Sequence, residues 1–423
     1  MKRITAVILS VLSLPVLAQD ASPTPFALKK PDFKIEPYAQ LQGWAVHSID
    51  RKAETNGRPG LDNVDSRTNF FFRRARVGFR GSPYKNLKYQ LSLYYDNAGH
   101  DSLANTRAST LPNTSSGRES ALTKGVATVG LWDSFLSWKL TDSDLFHITA
   151  GYFRPQISRE SITAAFNVNS FEKAPSQNYV RQAVIGRGFG RGTGINLGGL
   201  QTGDKVSFNY NLGIFNKVTT GDKFTEGSTD VTLAETQGDE NSLVYVARFA
   251  MSFGDPEMTK YGLGYTGNYF GKRKGLTLAL NGSTQSRTPR YRANEVVGAD
   301  FLFNWGMWNA DGEFFYIYNK ANQSKNYAKS RTGHFRLGRL FPLSNGTYLE
   351  PSFMVSGFYG EKGSQYTGRD TVYDVGINWY LDQNRYKFYA HYVWQDGDGN
   401  NLVHRDGVFH YGDYAGIGLT LQF

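Results

Sequence analysis

The chain has 423 residues, no cysteine and a formal net charge of +10 at pH 7. The lack of cysteine excludes disulfide bonds and thiolate metal sites. Beyond the N-terminus no run of 18 apolar residues occurs, which excludes a membrane protein built from helices. Aromatic residues make up 15% of the chain although its mean hydropathy is only −0.46. This combination is typical of strands with one apolar and one polar face.

The N-terminus has the pattern of a secretory signal peptide over residues 1–18. Two basic residues precede the apolar stretch 4–17, and Ala18 ends a signal-peptidase site. A single membrane anchor is the weaker interpretation, because this stretch is shorter than the roughly 20 residues that span a bilayer. We expect residues 19–36 to be a periplasmic lead-in and residues 37–423 to form the membrane domain.

Strict alternation of apolar and polar residues recurs along the rest of the chain. In the last residues Ala415, Ile417 and Leu419 share one face with Phe423, and only lipid could cover that face. About sixteen such strands, joined alternately by short turns and long polar loops, predict an all-β, antiparallel up-and-down transmembrane β-barrel. A soluble sandwich or propeller would show the same alternation with its apolar side chains inside, so the signal peptide and the terminal strand favour the barrel. The other alternating segments are 88–96, 205–215, 243–253, 276–281, 372–380 and 386–394.

Residues 70–80 combine such a strand with four arginines. Alternation turns Arg74, Arg76 and Arg80 toward a water-filled lumen, because an Arg facing the bilayer midplane costs about 2–4 kcal/mol. Arg73 breaks the alternation, and we expect it at the membrane interface, at a β-bulge or at the barrel rim.

Residues 154–194, between two predicted strands, contain a second cluster of basic residues. The segment is long for a surface loop and contains apolar side chains that water would not solvate well. A constriction loop folded into the lumen accounts for both features. An extracellular cap and a surface for lipopolysaccharide phosphates stay open as alternatives. The basic residues of this segment are Arg154, Arg159, Lys173, Arg181, Arg187 and Arg191.

Rings of Arg and Lys in a narrow pore favour anions and exclude cations. Arg248 is a further candidate for such a path. Several acidic residues are expected to face the same water, so the lumen is mixed and strong anion selectivity does not follow from the sequence. These residues are Asp96, Asp300, Asp311, Glu313 and Asp374.

Four motifs follow one another in the first half of the chain. They are Phe72-Arg73-Arg74-Ala75-Arg76-Val77-Gly78-Phe79-Arg80-Gly81, Asp133-Ser134-Phe135-Leu136-Ser137-Trp138, Thr149-Ala150-Gly151-Tyr152-Phe153-Arg154-Pro155 and Ser158-Arg159-Glu160. With these motifs the chain resembles the phosphate-selective porin O and P family. The resemblance implies a homotrimer of sixteen-stranded barrels, each with a third loop folded inward.

The resemblance also implies roles for single residues. Arg73 and Arg74 match the family's paired arginines near the constriction, and Asp96 resembles an acidic residue beside them. Lys124 and Lys173 are candidates for the family's loop lysine at the phosphate site. Our alternation places only Arg74 of the arginine pair inward, so a bulge is needed to bring both into the lumen.

Together these observations predict an outer-membrane porin of a Gram-negative bacterium, through which small hydrophilic solutes diffuse passively. We expect anion preference, with phosphate or polyphosphate as candidate solutes. A general diffusion porin is the main alternative, followed by a structural or adhesive barrel and by a barrel enzyme that uses Asp311 and Glu313. We expect no enzymatic activity, no cofactor and no metal site, because the histidines show no metal-binding spacing. The expected partners are small anions, lipid, lipopolysaccharide and further copies of the chain, but no nucleic acid.

Overall fold

A computed structural model describes most of the chain from residue 28 to its end. The predicted signal peptide and the start of the lead-in lie outside the described residues. Among the helices described, none is long and apolar enough to cross a membrane. The described ranges are 28–53, 62–101, 129–185, 190–216, 222–226, 229–233, 243–285, 291–321, 327–361, 368–397 and 410–423.

Sixteen antiparallel strands form one closed barrel, as the alternation predicted. The first strand pairs with the second on one side and with the last on the other, for example Trp44 with Gly418, so the closed sheet has no free edge. The strands are β1 (Pro31–Ala53), β2 (Thr68–Tyr84), β3 (Leu87–Tyr94), β4 (Gly130–Lys139), β5 (His147–Phe153), β6 (Gly192–Gln201), β7 (Val206–Phe215), β8 (Val244–Gly254), β9 (Gly275–Gln285), β10 (Tyr291–Trp305), β11 (Trp308–Ala321), β12 (Ala328–Arg339), β13 (Tyr348–Gly360), β14 (Gly368–Asp382), β15 (Tyr386–Gly397) and β16 (His410–Gln422).

Shorter elements decorate this barrel. Two short strands extend its sheet, and a separate hairpin lies in the connection between β7 and β8. Within the described residues, the helices lie between β5 and β6. The short strands are Asp62–Val64 and Phe341–Pro342, the hairpin joins Asp222–Glu226 to Thr229–Leu233, and the helices are α1 (Arg159–Ile162), a 3-10 turn (Ala165–Asn167) and α2 (Ser176–Val184).

Apolar side chains cover the outside of the barrel and polar ones line its inside. Val77, Leu280 and Ile417 are exposed on the outer face, whereas Asn211 and Asp300 are buried within. A soluble sandwich or propeller requires the opposite arrangement, because its outer face meets water. The predicted fold class is therefore confirmed, and lipid is the solvent that suits the outer face.

Strand β1 begins at Pro31 and therefore starts inside the segment expected to be a lead-in. Pro31 pairs with Tyr84 because β2 runs far enough to offer a partner for these extra residues. Most connections at this end of the barrel are short, namely 85–86, 202–205, 306–307 and 383–385. An exception is the segment 255–274, which joins β8 to β9 and enters the lumen.

Candidate functional site

The described residues of this loop, 154–185 and 190–191, lie inside the barrel, as the predicted inward fold requires. Its α2 packs against lumen-facing apolar residues of the wall, and the ring of Tyr179 stacks on Phe358 with centroids 3.9 Å apart. Phe171 contacts Trp44 on the other side, at 4.4 Å. Full burial of each such side chain stabilises the loop by roughly 1.5–3 kcal/mol. The loop ends at Arg191, slightly earlier than predicted, because β6 already begins at Gly192.

One buried ion-pair cluster holds the beginning of this loop to the wall. We call it the Arg159 cluster, and it consists of Arg159, Arg248, Glu257 and Asp300. Arg159 Nε donates to Asp300 Oδ1 at 3.1 Å, and Arg248 Nη1 donates to Glu257 Oε1 at 3.0 Å. Burial alone would raise the pKa of Glu257, but the guanidinium groups of Arg159 and Arg248 lower it. Two positive and two negative charges cancel here.

This cancellation corrects the expectation that Arg159 and Arg248 line the anion path. Their side chains are 1% and 0% exposed, and both guanidinium groups bond to carboxylates. The physical reason is that a guanidinium buried in the protein needs a counter-charge. The sequence places these carboxylates far from Arg159, at Glu257 and Asp300, so alternation could not reveal the pairing.

A second cluster holds the loop to the wall at Ser158, Glu160 and Ser176. Arg336 donates to Glu160 Oε1 at 2.8 Å and to Asp311 Oδ1 at 3.0 Å, and His334 Nε2 lies 2.9 Å from Asp311 Oδ1. Glu313 accepts hydrogen bonds from two loop serines, Ser158 at 2.7 Å and Ser176 at 2.8 Å. We call this group the Arg336 cluster: Glu160, Asp311, Glu313, His334 and Arg336.

The Arg336 cluster contains the residues that are relevant to a metal site and to the catalytic pair considered above. Ligand atoms of Glu160, Asp311 and His334 lie within 4.8 Å of one another, a spacing that a metal ion could use. Arg336 already donates to both carboxylates and gives them a positively charged partner within the protein. Of the two carboxylates considered as a catalytic pair, Glu313 anchors the loop through Ser158, and Asp311 accepts a hydrogen bond from Arg336 of the wall.

Arg73 and Arg74 both point inward, because β2 has a bulge between them and Phe72. Gln42 of β1 pairs with Arg74, whereas the next residue pairs with Phe72, which leaves Arg73 as the extra residue. Of the three positions predicted for Arg73, the bulge is the one observed. Arg73 Nε donates to Glu172 Oε2 at 2.8 Å, and Arg74 donates to Glu172 Oε1. Burial would raise the pKa of Glu172, but these two guanidinium groups lower it to about 2.

Trp132 lies between Arg76 and Arg191. The centre of each guanidinium group is 3.5 Å from the centroid of the indole. Each arginine also has a carboxylate partner: Arg76 Nη2 donates to Asp96 Oδ2 at 3.0 Å, and Arg191 Nε donates to Asp133 Oδ1 at 3.2 Å. Sequence reasoning missed Trp132, whose inward position depends on a bulge in β4.

Three further cations meet at the carbonyl end of α1. Arg154 Nη1 donates to the Thr163 carbonyl at 3.3 Å, Lys173 Nζ to the same oxygen at 2.8 Å, and Arg181 Nε to Ser161 Oγ at 3.0 Å. Among the described residues no carboxylate forms an ion pair with any of the three cations. We call Arg154, Lys173 and Arg181 the basic centre.

Burial and mutual repulsion lower the pKa values of the cations in the basic centre. Burial lowers the pKa of Lys173 well below its ordinary value, and the nearby charges of Arg181 and Arg154 lower it further. Burial, followed by repulsion from Arg191, lowers the pKa of Arg181 to about 9, so this guanidinium stays charged at pH 7. Gly190 has a φ of +69°, and a Cβ there would lie 2.5 Å from Arg181 Cδ, so the glycine leaves room for the arginine.

One predicted path residue, Arg80, lies away from the others. Arg80 shares the inner face with Arg76, but it lies about 13 Å further along the strand, at the mouth with the short turns. Its side chain is 60% exposed and pairs with Glu36 at 3.2 Å, so Arg80 meets water at this mouth and lies apart from Arg76. Arg187 lies outside the described residues.

A second segment, 255–274, enters the lumen from the end with the short turns. Tyr261 donates through its hydroxyl to Asn211 Oδ1 at 2.6 Å, and the Tyr269 hydroxyl donates to the Glu257 carbonyl. Sequence reasoning missed this segment. The signal that could have found it is a tyrosine at every fourth position, Tyr261, Tyr265 and Tyr269, between two good strands.

A closed sixteen-strand barrel with an apolar outer face and a narrowed, charged lumen defines an outer-membrane porin. The chain belongs to the phosphate-selective porin O and P family, whose model matches residues 55–423. No curated protein sequence matches the chain significantly.

Solved structures share the fold at low sequence identity. The anion-selective porin from Comamonas acidovorans aligns with a TM-score of 0.54 and 13% identity, over 92% of this chain and 99% of that one. OmpF of Salmonella typhi, in complex with daunomycin, aligns with a TM-score of 0.49 and 12% identity, over 92% and 97%. The outer membrane channel DcaP of Acinetobacter baumannii aligns with a TM-score of 0.48 and 10% identity, over 94% and 100%.

Proposed function

We propose that this porin conducts small anions and prefers oxyanions such as phosphate or polyphosphate. The observation that carries the proposal is the basic centre, where Arg154, Lys173 and Arg181 have carbonyl and hydroxyl oxygens as hydrogen-bond partners instead of carboxylates. Those oxygens carry only partial negative charge, so the positive charge of this centre is not cancelled by a paired carboxylate. An anion that enters the constriction gains favourable Coulomb energy there.

Unused hydrogen-bond donors support an oxyanion as the solute. Within the described part of the chain, Nε of Arg154 and Nε of Arg76 are buried without an acceptor. A buried donor without an acceptor costs free energy, which a phosphate oxygen would recover. Lys173 suits the loop lysine implied by the family resemblance, because it lies in the constriction loop beside two arginines.

The pairing of acidic residues supports the same proposal. Asp300, Asp311 and Glu313 face the lumen on the far wall, where they could attract cations. Each is instead buried under the constriction loop: Asp300 pairs with Arg159 of the loop and Arg248 of the wall, Asp311 pairs with Arg336 of the wall, and Glu313 accepts from a loop serine. The loop thereby removes negative charge from the water-filled path and leaves positive charge on its own free side.

The test is the zero-current potential of purified protein in a planar bilayer under a KCl gradient. We expect a potential of anion-selective sign in the wild type and a block of the chloride current by added phosphate. The double variant Arg154→Gln, Arg181→Gln should lower the anion-to-cation permeability ratio about tenfold. Arg369→Gln, which removes an exposed arginine paired with Asp396, is the matched control. A cation-selective or unselective wild type would instead identify a general diffusion porin.

We also propose export through the signal peptide 1–18, contact with lipopolysaccharide, and assembly as a homotrimer. Family membership supports the trimer. An apolar groove of about 460 Å³ on β1, β15 and β16, lined by the small residues Ala45, Ala390 and Ala415, offers room for a neighbouring side chain. The molar mass of the detergent-solubilised protein, measured by light scattering, tests the proposed trimer. A monomer mass would reject the trimer and leave the pore proposal intact.

A further inference from the structure

We propose that the Arg336 cluster binds a divalent transition-metal ion, of which zinc fits best, and that the bound ion fastens the constriction loop to the barrel wall. The ligands are Glu160 of the loop, Asp311 of β11 and His334 of β12. One ligand atom from each residue lies within 4.8 Å of the other two. These residues come from distant parts of the chain, so their spacing in the sequence could not reveal the site. The inference does not depend on which solute the pore conducts.

An unpartnered oxygen of Glu160 points into this site. The Glu160 side chain is 0% exposed, and its Oε1 accepts hydrogen bonds from the Ala174 N–H at 2.6 Å and from Arg336 at 2.8 Å. Its Oε2, in contrast, is among the buried side-chain atoms of the described residues that have no hydrogen-bond partner. The nearest ring nitrogen, His334 Nε2, is 3.7 Å away, beyond hydrogen-bond distance. A cation between these two atoms would recover the free energy that burial of the oxygen costs.

The distances between the ligand atoms suit zinc. Zinc binds imidazole nitrogen and carboxylate oxygen at about 2.0–2.2 Å in a tetrahedral arrangement, which places ligand atoms about 3.3 Å apart. His334 Nε2 is 2.9 Å from Asp311 Oδ1 and 3.7 Å from Glu160 Oε2. Both distances reach the tetrahedral value after shifts of about 0.4 Å. The Asp311 side chain is 10% exposed, so lumen water can reach the ion and supply the fourth ligand.

The charge of the cluster also favours a divalent ion. Glu160, Asp311 and Glu313 are three carboxylates, and Arg336 is the one guanidinium among them, so the cluster carries a charge of −2 while His334 is neutral. Protonation of His334 would leave a charge of −1, whereas a divalent ion on the neutral imidazole brings the charge to zero. A ligand set of imidazole and carboxylates suits zinc, because calcium and magnesium prefer oxygen ligands alone.

Second-sphere contacts hold the ligands in place. His334 Nδ1 lies 3.2 Å from Ser176 Oγ, and that hydroxyl donates to Glu313 Oε1 at 2.8 Å. An Nδ1–H that donates to the serine leaves Nε2 without a proton and directed at the metal position. Arg336 donates to both ligating carboxylates, at Glu160 Oε1 and at Asp311 Oδ1, and leaves Glu160 Oε2 available. Hydrogen bonds of this kind orient the ligands of a metal site.

The first experiment is a calorimetric titration of the full-length porin with ZnCl₂. The porin is stripped with EDTA and dialysed into a phosphate-free buffer at neutral pH. We expect one zinc ion per chain, and binding weakened about a hundredfold in His334→Gln and in Glu160→Gln, since loss of a mere second-sphere partner already costs 10–100-fold. His391→Gln is the matched control. His391 is equally buried and pairs with Asp374, but within the described residues that pair has no third ligand.

X-ray absorption at the zinc edge identifies the ligands directly. The wild type should show imidazole scattering from a shell at about 2.0 Å, and His334→Gln should lose it. Zinc should also raise the thermal midpoint of the wild type and quieten its single-channel currents, because the ion joins the loop to two strands. Glu160 belongs to the loop instead of a barrel strand, so Glu160→Gln tests the site even where His334→Gln lowers the yield of folded barrel.

Three results would overturn the inference. They are a wild type that binds no zinc, a wild type that binds several ions without a defined stoichiometry, and equal affinity in the wild type, His334→Gln and Glu160→Gln. The zero-current potential in metal-free KCl tests the anion proposal separately, so failure of one proposal is distinguishable from failure of the other.

Discussion

Thr163 and Tyr265 form a parallel β-bridge, although their segments enter the barrel from opposite ends. The Ala164 N–H donates to the Tyr265 carbonyl at 3.3 Å. The Arg159 cluster lies beside this bridge, because Glu257 belongs to the second segment. The constriction is therefore built from two segments that hold each other, and its width depends on both.

This junction predicts a loosened constriction in Glu257→Gln. The substitution keeps the shape of the side chain but leaves Arg159 and Arg248 with one carboxylate between them, and breaking such a buried pair costs about 3–5 kcal/mol. We expect larger and noisier single-channel currents, together with faster trypsin cleavage inside 255–274. Glu36→Gln, at an exposed pair, is the control. Quiet currents of wild-type size in Glu257→Gln would contradict this description of the junction.

Lys173 predicts a pH dependence of selectivity. Burial, reinforced by Arg181 and Arg154, lowers the pKa of Lys173, so its amine loses its proton at a lower pH than a free lysine does. Attraction of anions is complete below that lowered pKa and declines as the pH rises through it. A bound anion counteracts the shift, because it favours the charged amine.

Zero-current potentials between pH 5 and pH 8 measure this dependence, because Arg181, whose pKa is about 9, stays charged over that range. We expect wild-type anion selectivity to fall with rising pH, and Lys173→Arg to keep its selectivity over the range, because a guanidinium stays protonated. Lys173→Met should show low selectivity at every pH. A wild-type potential that does not change with pH would rule out titration of Lys173 in the path.

The Arg159 cluster predicts a charge-shielding role for Arg248. Arg248→Met leaves Glu257 and Asp300 facing Arg159 alone, so one negative charge is uncompensated and cation permeability should rise. Adding Asp300→Asn restores neutrality and should restore the permeability ratio. A double-mutant cycle on permeability ratios measures the coupling between the two residues. Equal ratios in all four proteins would show that the cluster does not reach the path electrostatically.

The ion pairs of Glu172 with Arg73 and Arg74 predict that replacing Glu172 changes selectivity and stability in opposite directions. Its pKa of about 2 lies below that of an unfolded glutamate, about 4.3. Its contribution to stability is therefore fully present above about pH 4.3 and is lost as the pH falls through about 2. Glu172→Gln should lower the thermal midpoint at pH 7, and it should raise anion selectivity by releasing positive charge on Arg73 and Arg74. A rise in selectivity without any fall in the midpoint would contradict the ion pairing.

The alternation of side chains along the chain determined the barrel and the direction of most residues. Ile417 and Phe423 were expected to face lipid, and both are exposed on the outer surface. Such a prediction succeeds because the period of two is local: each residue's face follows from its neighbours in the same strand. The length and apolar content of the constriction loop likewise predicted its inward fold.

At β-bulges, local alternation could not predict which way a side chain points. Arg73 and Trp132 occupy extra positions in β2 and β4, and the register with the neighbouring strand decides whether such a residue points inward. The arginine pair implied by the family resemblance required a bulge at Arg73, and the structure contains it. Trp132 offered no comparable signal.

Which cations stay free of carboxylates was decided by tertiary structure alone. Arg159 and Arg154 are similar residues five positions apart in one loop, yet Arg159 meets Glu257 and Asp300 while Arg154 meets backbone oxygens. Alternation and composition describe short stretches of chain, whereas an ion pair depends on residues that folding brings together from about a hundred positions away. The sequence by itself therefore determined that this is a barrel with a basic lumen. The packing of the loop inside the closed barrel decided where positive charge is available to an anion. In that packing some buried guanidinium groups form ion pairs with carboxylates, whereas others bond to uncharged oxygens.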